Sequence, residues 1–216
     1  VLSNEHHTSA SRMQRWIHDP ARALRTSTRF NLDQHISWLS RFFDITAVTN
    51  LAEKEFKKYF TKQIYIQDNN VIEDENAYLI DIKKEKALSK NPTYKRKLPL
   101  FIANKDGKNL YVAPIRGKGL WDAIWAYVSM DDNMTITGIY FDHKAETPGL
   151  GANIKQRFFM DDFIGESLLD ADGNFRGVTV SKTNLDPKNE DKYDNEVDAI
   201  AGSTITGDGV TAVSYT

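Results

Sequence analysis

Residues 98–143 read LPLFIANKDGKNLYVAPIRGKGLWDAIWAYVSMDDNMTITGIYFDH, and this stretch decides the fold class. Leu98–Asn104 and Leu110–Ile115 are apolar runs of strand length on either side of Lys105-Asp106-Gly107-Lys108. That is a hairpin signal, because Asp-Gly supplies positive φ at low steric cost. Ala126–Met130 and Thr135–Asp142 flank a second polar turn, Asp131-Asp132-Asn133. Further on, a short amphipathic helix is expected over Phe158 to Leu168, and Leu168–Leu169, the Asp170–Asn174 turn and Gly177–Val180 are expected to form a third hairpin. Antiparallel pairs interrupted by helices define an α+β fold. The spacing does not fit a parallel nucleotide-binding sheet.

Upstream of this region the composition changes. All six basic residues of the first fifty are arginine (Arg12, Arg15, Arg22, Arg25, Arg29, Arg41), the first lysine is Lys54, and His6, His7, His18 and His35 lie here too. The stretch reads either as a basic arm for phosphate or anionic lipid, or as a solvated lead-in foreign to the native domain. Leu32, Ile36, Leu39 and Phe43 fall at helical spacing behind an N-cap at Asn31. A second helix is expected from about Leu51 to Phe60, and residues 83–97, rich in Lys, Ser and Asn, read as a solvated connection. The resulting division is an N-terminal helical arm over 1–50, a helix and connection over 51–97, and the main domain over 98–216.

The 216 residues carry 28 Lys+Arg against 30 Asp+Glu, so the chain shows no basic surplus of the kind nucleic-acid binding requires. Nothing in it is an apolar run long enough to span a bilayer as a helix. The absence of cysteine excludes disulfides, thiolate chemistry and Cys-ligated metals. Asp170-Ala-Asp172-Gly-Asn174 lacks the sixth-position Gly and twelfth-position Glu of a calcium loop, so it reads as a turn. His143 reads as a strand-end histidine with no second ligand at helical spacing, and no metal site or catalytic residue is assigned.

Three segments carry chemistry. Gly117-Lys118-Gly119-Leu120-Trp121 follows a strand; it is either a tight turn before a core tryptophan or a place of close backbone approach beside a flat aromatic face. In Glu146-Thr147-Pro148-Gly149-Leu150-Gly151, Pro148-Gly149 suits a type II turn. The acceptor and donor groups just before it suit a planar, hydrogen-bonding ligand lying against the main chain. Asp198-Ala199-Ile200-Ala201-Gly202-Ser203-Thr204-Ile205-Thr206-Gly207 reads either as a Ser/Thr-capped helix start or as an amide cradle for phosphate.

In this order the three segments resemble the FMN-binding domain of the NqrC family, a subunit of the sodium-translocating NADH:quinone oxidoreductase, over about Leu98 to Val213. Asp198 to Thr204 resembles that family's flavinylation motif, Asp-Gly-x-Ser/Thr-Gly-Ala-Thr/Ser, with Ala199, Ala201 and Ser203 as departures. The resemblance implies a twisted antiparallel sheet with flanking helices, and FMN joined by a phosphoester to Thr204. It implies further cofactor contacts at Asp198, Gly202, Ser203, Thr206, Gly119, Leu120, Trp121, Glu146, Thr147, Gly149 and Leu150. Ser203 and Thr206 supply hydroxyls that compete as acceptors. Trp121 and Leu150 are expected to wall the ring, and a charged Glu146 to disfavour its anionic reduced form.

The implied role is electron relay within a respiratory complex, with other subunits as partners, a flavin transferase for maturation, and no NADH or quinone site of its own. The absence of a Gly-x-Gly-x-x-Gly signal agrees with the last point. The family carries an N-terminal membrane helix and places this domain on the periplasmic side of the bacterial inner membrane; this chain is expected to be a shortened or altered form. The related RnfG subunit of the Rnf electron-transport complex, or a stand-alone flavinylated carrier, is the neighbouring alternative. A non-redox binding module, whose glycine turns only shape a groove, is the alternative of another class.

Overall fold

Apolar and polar residues interleave along FTKQIYIQ, and Phe60 and Ile64 are buried while Thr61 and Lys62 are exposed, as a half-covered strand requires. This is β1 (Phe60–Gln67), the first element of a computed structural model that describes residues 60–105, 107–186 and 189–215. The expected arm over 1–50, and the expected second helix apart from Phe60, lie outside those residues. Phe60 itself begins a strand, which corrects the helix that was to end there. The chain divides into two compact units between Asn109 and Leu110.

In the first unit, β1 turns at Asp68 and Asn69, both at positive φ (52° and 62°), into β2 (Asn70–Glu73). It pairs antiparallel along its other edge with β3 (Leu98–Lys105), from Phe60 opposite Ala103 to Ile66 opposite Leu98. Phe60 meets Phe101 edge to face with ring centroids 6.0 Å apart. The expected connection over 83–97 contains most of a short helix, α1 (Ile82–Leu88). Asp81 caps it by accepting from the Lys83 and Lys84 amides at 2.9 and 3.1 Å, and buried Glu85 ties the following loop through Tyr94 and the Lys97 amide. Just past β3, Gly107 sits at φ +78°, at the turn expected there.

The second unit contains most of β4 (Lys108–Lys118), then β5 (Ala123–Met130) and β6 (Ile136–His143), paired antiparallel in that order. All eight residues of β5 are buried, which is why AIWAYVSM reads as an unbroken apolar run rather than an alternation. A 3-10 turn (Gly151–Lys155) leads to α2 (Arg157–Asp162), whose Phe159, with the following Phe163, clusters on Phe141 of β6 at 5.7 and 5.3 Å. The helix is shorter than the Phe158–Leu168 expectation. From Gly165 the backbone instead pairs with the start of β6: Gly165 N–H donates to the Ile136 carbonyl and Ile136 N–H to that of Glu166, both at 2.8 Å.

The 170–174 turn forms around the Asp170 carboxylate, which accepts from the Asp172 and Asn174 amides, and Leu169 bridges Phe175. The third hairpin goes no further as expected. β7 (Thr179–Val180) pairs in parallel with β8 (Glu196–Val197), held by contacts distant in sequence. Finally α3 (Thr204–Ser214) buries Val210 and Val213. A Cβ at Gly209 would strike the Lys118 carbonyl, so glycine permits α3 to approach the end of β4. Six antiparallel strands plus a few helices make the fold α+β, as the sequence implied. Among the described residues no helix is long and apolar enough to cross a membrane.

Candidate functional site

β4 and β5 are joined by Gly119–Asp122, closed by the Gly119 amide donating to the Asp122 carbonyl at 2.8 Å. Leu120 and Trp121 therefore project at the loop tip; Trp121 is 66% exposed, so the core-tryptophan reading does not hold. Its indole Nε1–H donates to Thr147 Oγ1 at 3.1 Å, fixing the ring while leaving its face open.

The segment after β6 supplies the centre of the site. Pro148-Gly149 forms the turn that its sequence suits: Gly149 has φ +78° and Leu150 N–H donates to the Thr147 carbonyl at 3.1 Å. Glu146, only 4% exposed, accepts the Trp121 amide on Oε1 at 3.1 Å and the Thr206 hydroxyl on Oε2 at 2.6 Å. One carboxylate thus joins the Trp121 loop to the first turn of α3. Gly119 and Gly151 enclose it: a Cβ on Gly119 would lie 2.5 Å from Oε1, and one on Gly151 would lie 2.5 Å from both Oε2 and Thr206 Oγ1. Only glycine fits at either position without moving the carboxylate.

The helix start completes the arrangement. Gly202 takes φ +71°, beside Leu150, and the first helical bond of α3 runs from Gly207 N–H to the Ser203 carbonyl. The amides of 204, 205 and 206 precede that bond, at the positive end of an eleven-residue helix. Ser203 occupies the N-cap position, yet its hydroxyl caps nothing; Oγ is buried and has no hydrogen-bond partner. Thr206 is 1% exposed and committed to Glu146, whereas Thr204 is exposed. Of the three hydroxyls at 203, 204 and 206, Thr204 alone faces solvent.

Trp121, Glu146, Thr147, Leu150, Gly202 and Thr206 are therefore brought together as the sequence implied. Asp198 is held by different groups: Oδ1 accepts the Asp186 amide at 3.4 Å, and Oδ2 is buried without a partner. Sequence reading passed over Gly151, which closes on the carboxylate, and His143, whose Nδ1 accepts the Glu146 amide at 3.2 Å. Ending the β6 strand and lying three residues before Glu146 was the available signal for His143.

The site offers an accessible hydroxyl at an anion-favouring helix start, an exposed indole face, and an apolar Leu150 beside a backbone kept bare by Gly149 and Gly202. The orphaned Ser203 hydroxyl adds a buried polar atom still lacking a partner. These features fit a ligand with a phosphate at one end and a flat ring at the other.

Residues 119–214 match the FMN-binding domain family, and FMN is the cofactor that family gives to this domain. The chain is similar to the NqrC subunit of the Na(+)-translocating NADH-quinone reductase, in Pseudomonas aeruginosa at 32% identity over 113 residues and in Yersinia pestis at 36% over 115. Each alignment takes in 51% of this chain and 42% or 41% of the relative, so the chain spans about two fifths of the length of these relatives. Among solved structures it resembles the same subunit from Parabacteroides distasonis (TM-score 0.69, 29% identity, 90% of this chain and 92% of that one). It also resembles Shewanella oneidensis NqrC (TM-score 0.64, 27% identity, 84% and 88%). The resemblance read from the three segments is borne out.

Proposed function

We propose that this chain is the electron-carrier subunit of a sodium-translocating NADH:quinone oxidoreductase, with FMN held through a phosphoester to Thr204 Oγ. The observation that carries the proposal is the single accessible hydroxyl at the start of α3, next to the indole face that Glu146 and Thr147 hold in place. FMN, when bound, supplies the redox chemistry that side chains cannot. The chain's own residues do the rest. Thr204 tethers, so that the cofactor is not lost when its charge changes. Asp198, Gly202 and Ser203 shape the approach to the helix amides, which favour the phosphate charge. Leu120, Trp121, Gly149 and Leu150 form the wall for the ring, and Gly119 leaves room for the Glu146 carboxylate that seats Trp121 and Thr206.

The domain boundary is taken at 98–216, behind an arm over 1–50 and a connecting region over 51–97. The partners are the other subunits of the complex and the flavin transferase that forms the bond. The location is the bacterial inner membrane, with this domain on its periplasmic side. Co-expression with an active flavin transferase, followed by denaturing electrophoresis, tests the tether. A band fluorescent under ultraviolet light is expected for the wild type and for Ser203→Ala, and none for Thr204→Val. A dark wild-type band, with a control acceptor labelled, overturns the proposal.

A further inference from the structure

His143 ends β6 with its ring half-buried. Nδ1 accepts the Glu146 amide at 3.2 Å, so the ring is neutral and its proton sits on Nε2. This bond fixes how the chain leaves the strand over three residues, and hence where the Glu146 side chain begins. The carboxylate has little freedom of its own, since Gly119 and Gly151 hem it in while Trp121 N–H and Thr206 O–H occupy its two oxygens. A displacement at the Glu146 backbone must therefore pass to Trp121.

We propose that His143 is a positioning residue for the flavin site: its neutral ring seats Glu146, and protonation at Nδ1 releases the Glu146 amide and with it the placement of Trp121. A protonated Nδ1 is a donor facing another donor at 3.2 Å, so the bond cannot survive the proton. The charged groups acting on the ring are Asp142 on β6, Lys155 on the 3-10 turn and Glu146 itself; Ile124 of β5, opposite in register, brings no charge. Asp142 is fully buried and paired with Lys155 at 3.0 Å. Burial of the ring, aided by Lys155, holds His143 below 6.5, against the opposite pull of Asp142 and Glu146. The arrangement is thus intact at neutral pH and opens on acidification.

The relevance to FMN rests on the function proposed above. The measurement uses the full chain made without transferase, so failed flavinylation and failed coupling are separate outcomes. In ¹H–¹⁵N spectra recorded from pH 8 down to 5, the Trp121 indole signal, assigned by its loss in Trp121→Phe, and the Glu146 amide should shift together in one transition below pH 6.5. His143→Asn keeps an acceptor near the Nδ1 position but cannot titrate, and should hold the wild-type neutral-pH signals throughout. His143→Leu, lacking the acceptor, should show them displaced at every pH. Asp162 and Glu166 are pushed up to about 6 and about 7 and titrate in the same range. A Trp121 transition that persists in His143→Asn therefore overturns the proposal, as does a wild-type Trp121 signal that never moves. Should His143→Leu not fold, the His143→Asn comparison still decides.

Discussion

Thr206→Val tests whether the Glu146 carboxylate joins the two halves of the site. The Thr206 hydroxyl donates to Oε2 at 2.6 Å, and both residues are almost wholly enclosed. A hydrogen bond to a charged group contributes about 1.5–3 kcal/mol, and a buried oxygen left without its donor keeps the desolvation cost. A methyl group in place of Oγ1 cannot sit 2.6 Å from a carboxylate oxygen, and Gly151 leaves no space into which Oε2 can retreat. Together these place the expected loss at about 2–3 kcal/mol. With a urea m-value of about 2 kcal/mol/M, the unfolding midpoint should fall by roughly 1 M at unchanged slope. Thr206→Ser should restore most of it, and Thr204→Val, at an exposed position, should lie within about 0.5 kcal/mol of wild type. The reading is per chain without flavin, by near-ultraviolet circular dichroism. A Thr206→Val midpoint within about 0.2 M of wild type would refute the reasoning.

Two other perturbations have calculable signs. Gly151→Ala places a methyl 2.5 Å from both Glu146 Oε2 and Thr206 Oγ1, and should cost about 1–3 kcal/mol by urea denaturation while displacing the Trp121 indole signal; an unchanged signal would argue against the enclosure. Glu166 is fully buried, with Oε1 accepting from Asn189 at 2.9 Å and Oε2 unpartnered, and burial pushes its carboxyl up to about 7 against the opposing effects of Asn189 and Lys192. A folded-state value above the unfolded one makes the protonated acid stabilising at low pH, and that stabilisation is lost as pH rises through 7, by about 3 kcal/mol in all. Asp162, raised to about 6, acts with the same sign, while His143, lowered, contributes the opposite slope below 6.5. Glu166→Gln should therefore flatten the fall in urea midpoint between pH 5 and 8, and an identical pH profile for variant and wild type would contradict the assignment.

What the sequence revealed and what it hid divide along the range of the interactions. The β4–β5–β6 strands were legible because apolar runs and polar turns are local signals, and Gly107 and Gly149 take the positive φ that their turns require. β1 was hidden because its strand state comes from pairing with β3, some forty residues away. The end of α2 was misplaced for a similar reason: 165–168 exchange helical bonds for pairing near the start of β6, a competition that helical periodicity cannot register. Within the site, residue types marked Trp121, Glu146, Thr204 and Thr206. They did not show that Ser203 turns its hydroxyl inward without a partner, or that His143 accepts an amide. Both depend on backbone geometry over two or three residues, which side-chain spacing does not encode.

The most direct test is the mass of the peptide containing Thr204, isolated after co-expression with an active flavin transferase. Tethering at Thr204 predicts an increase equal to one FMN less one water, with fragmentation placing the adduct on Thr204 and not on Ser203 or Thr206. An unmodified peptide beside a labelled control acceptor, or an adduct on either neighbouring hydroxyl, would contradict it.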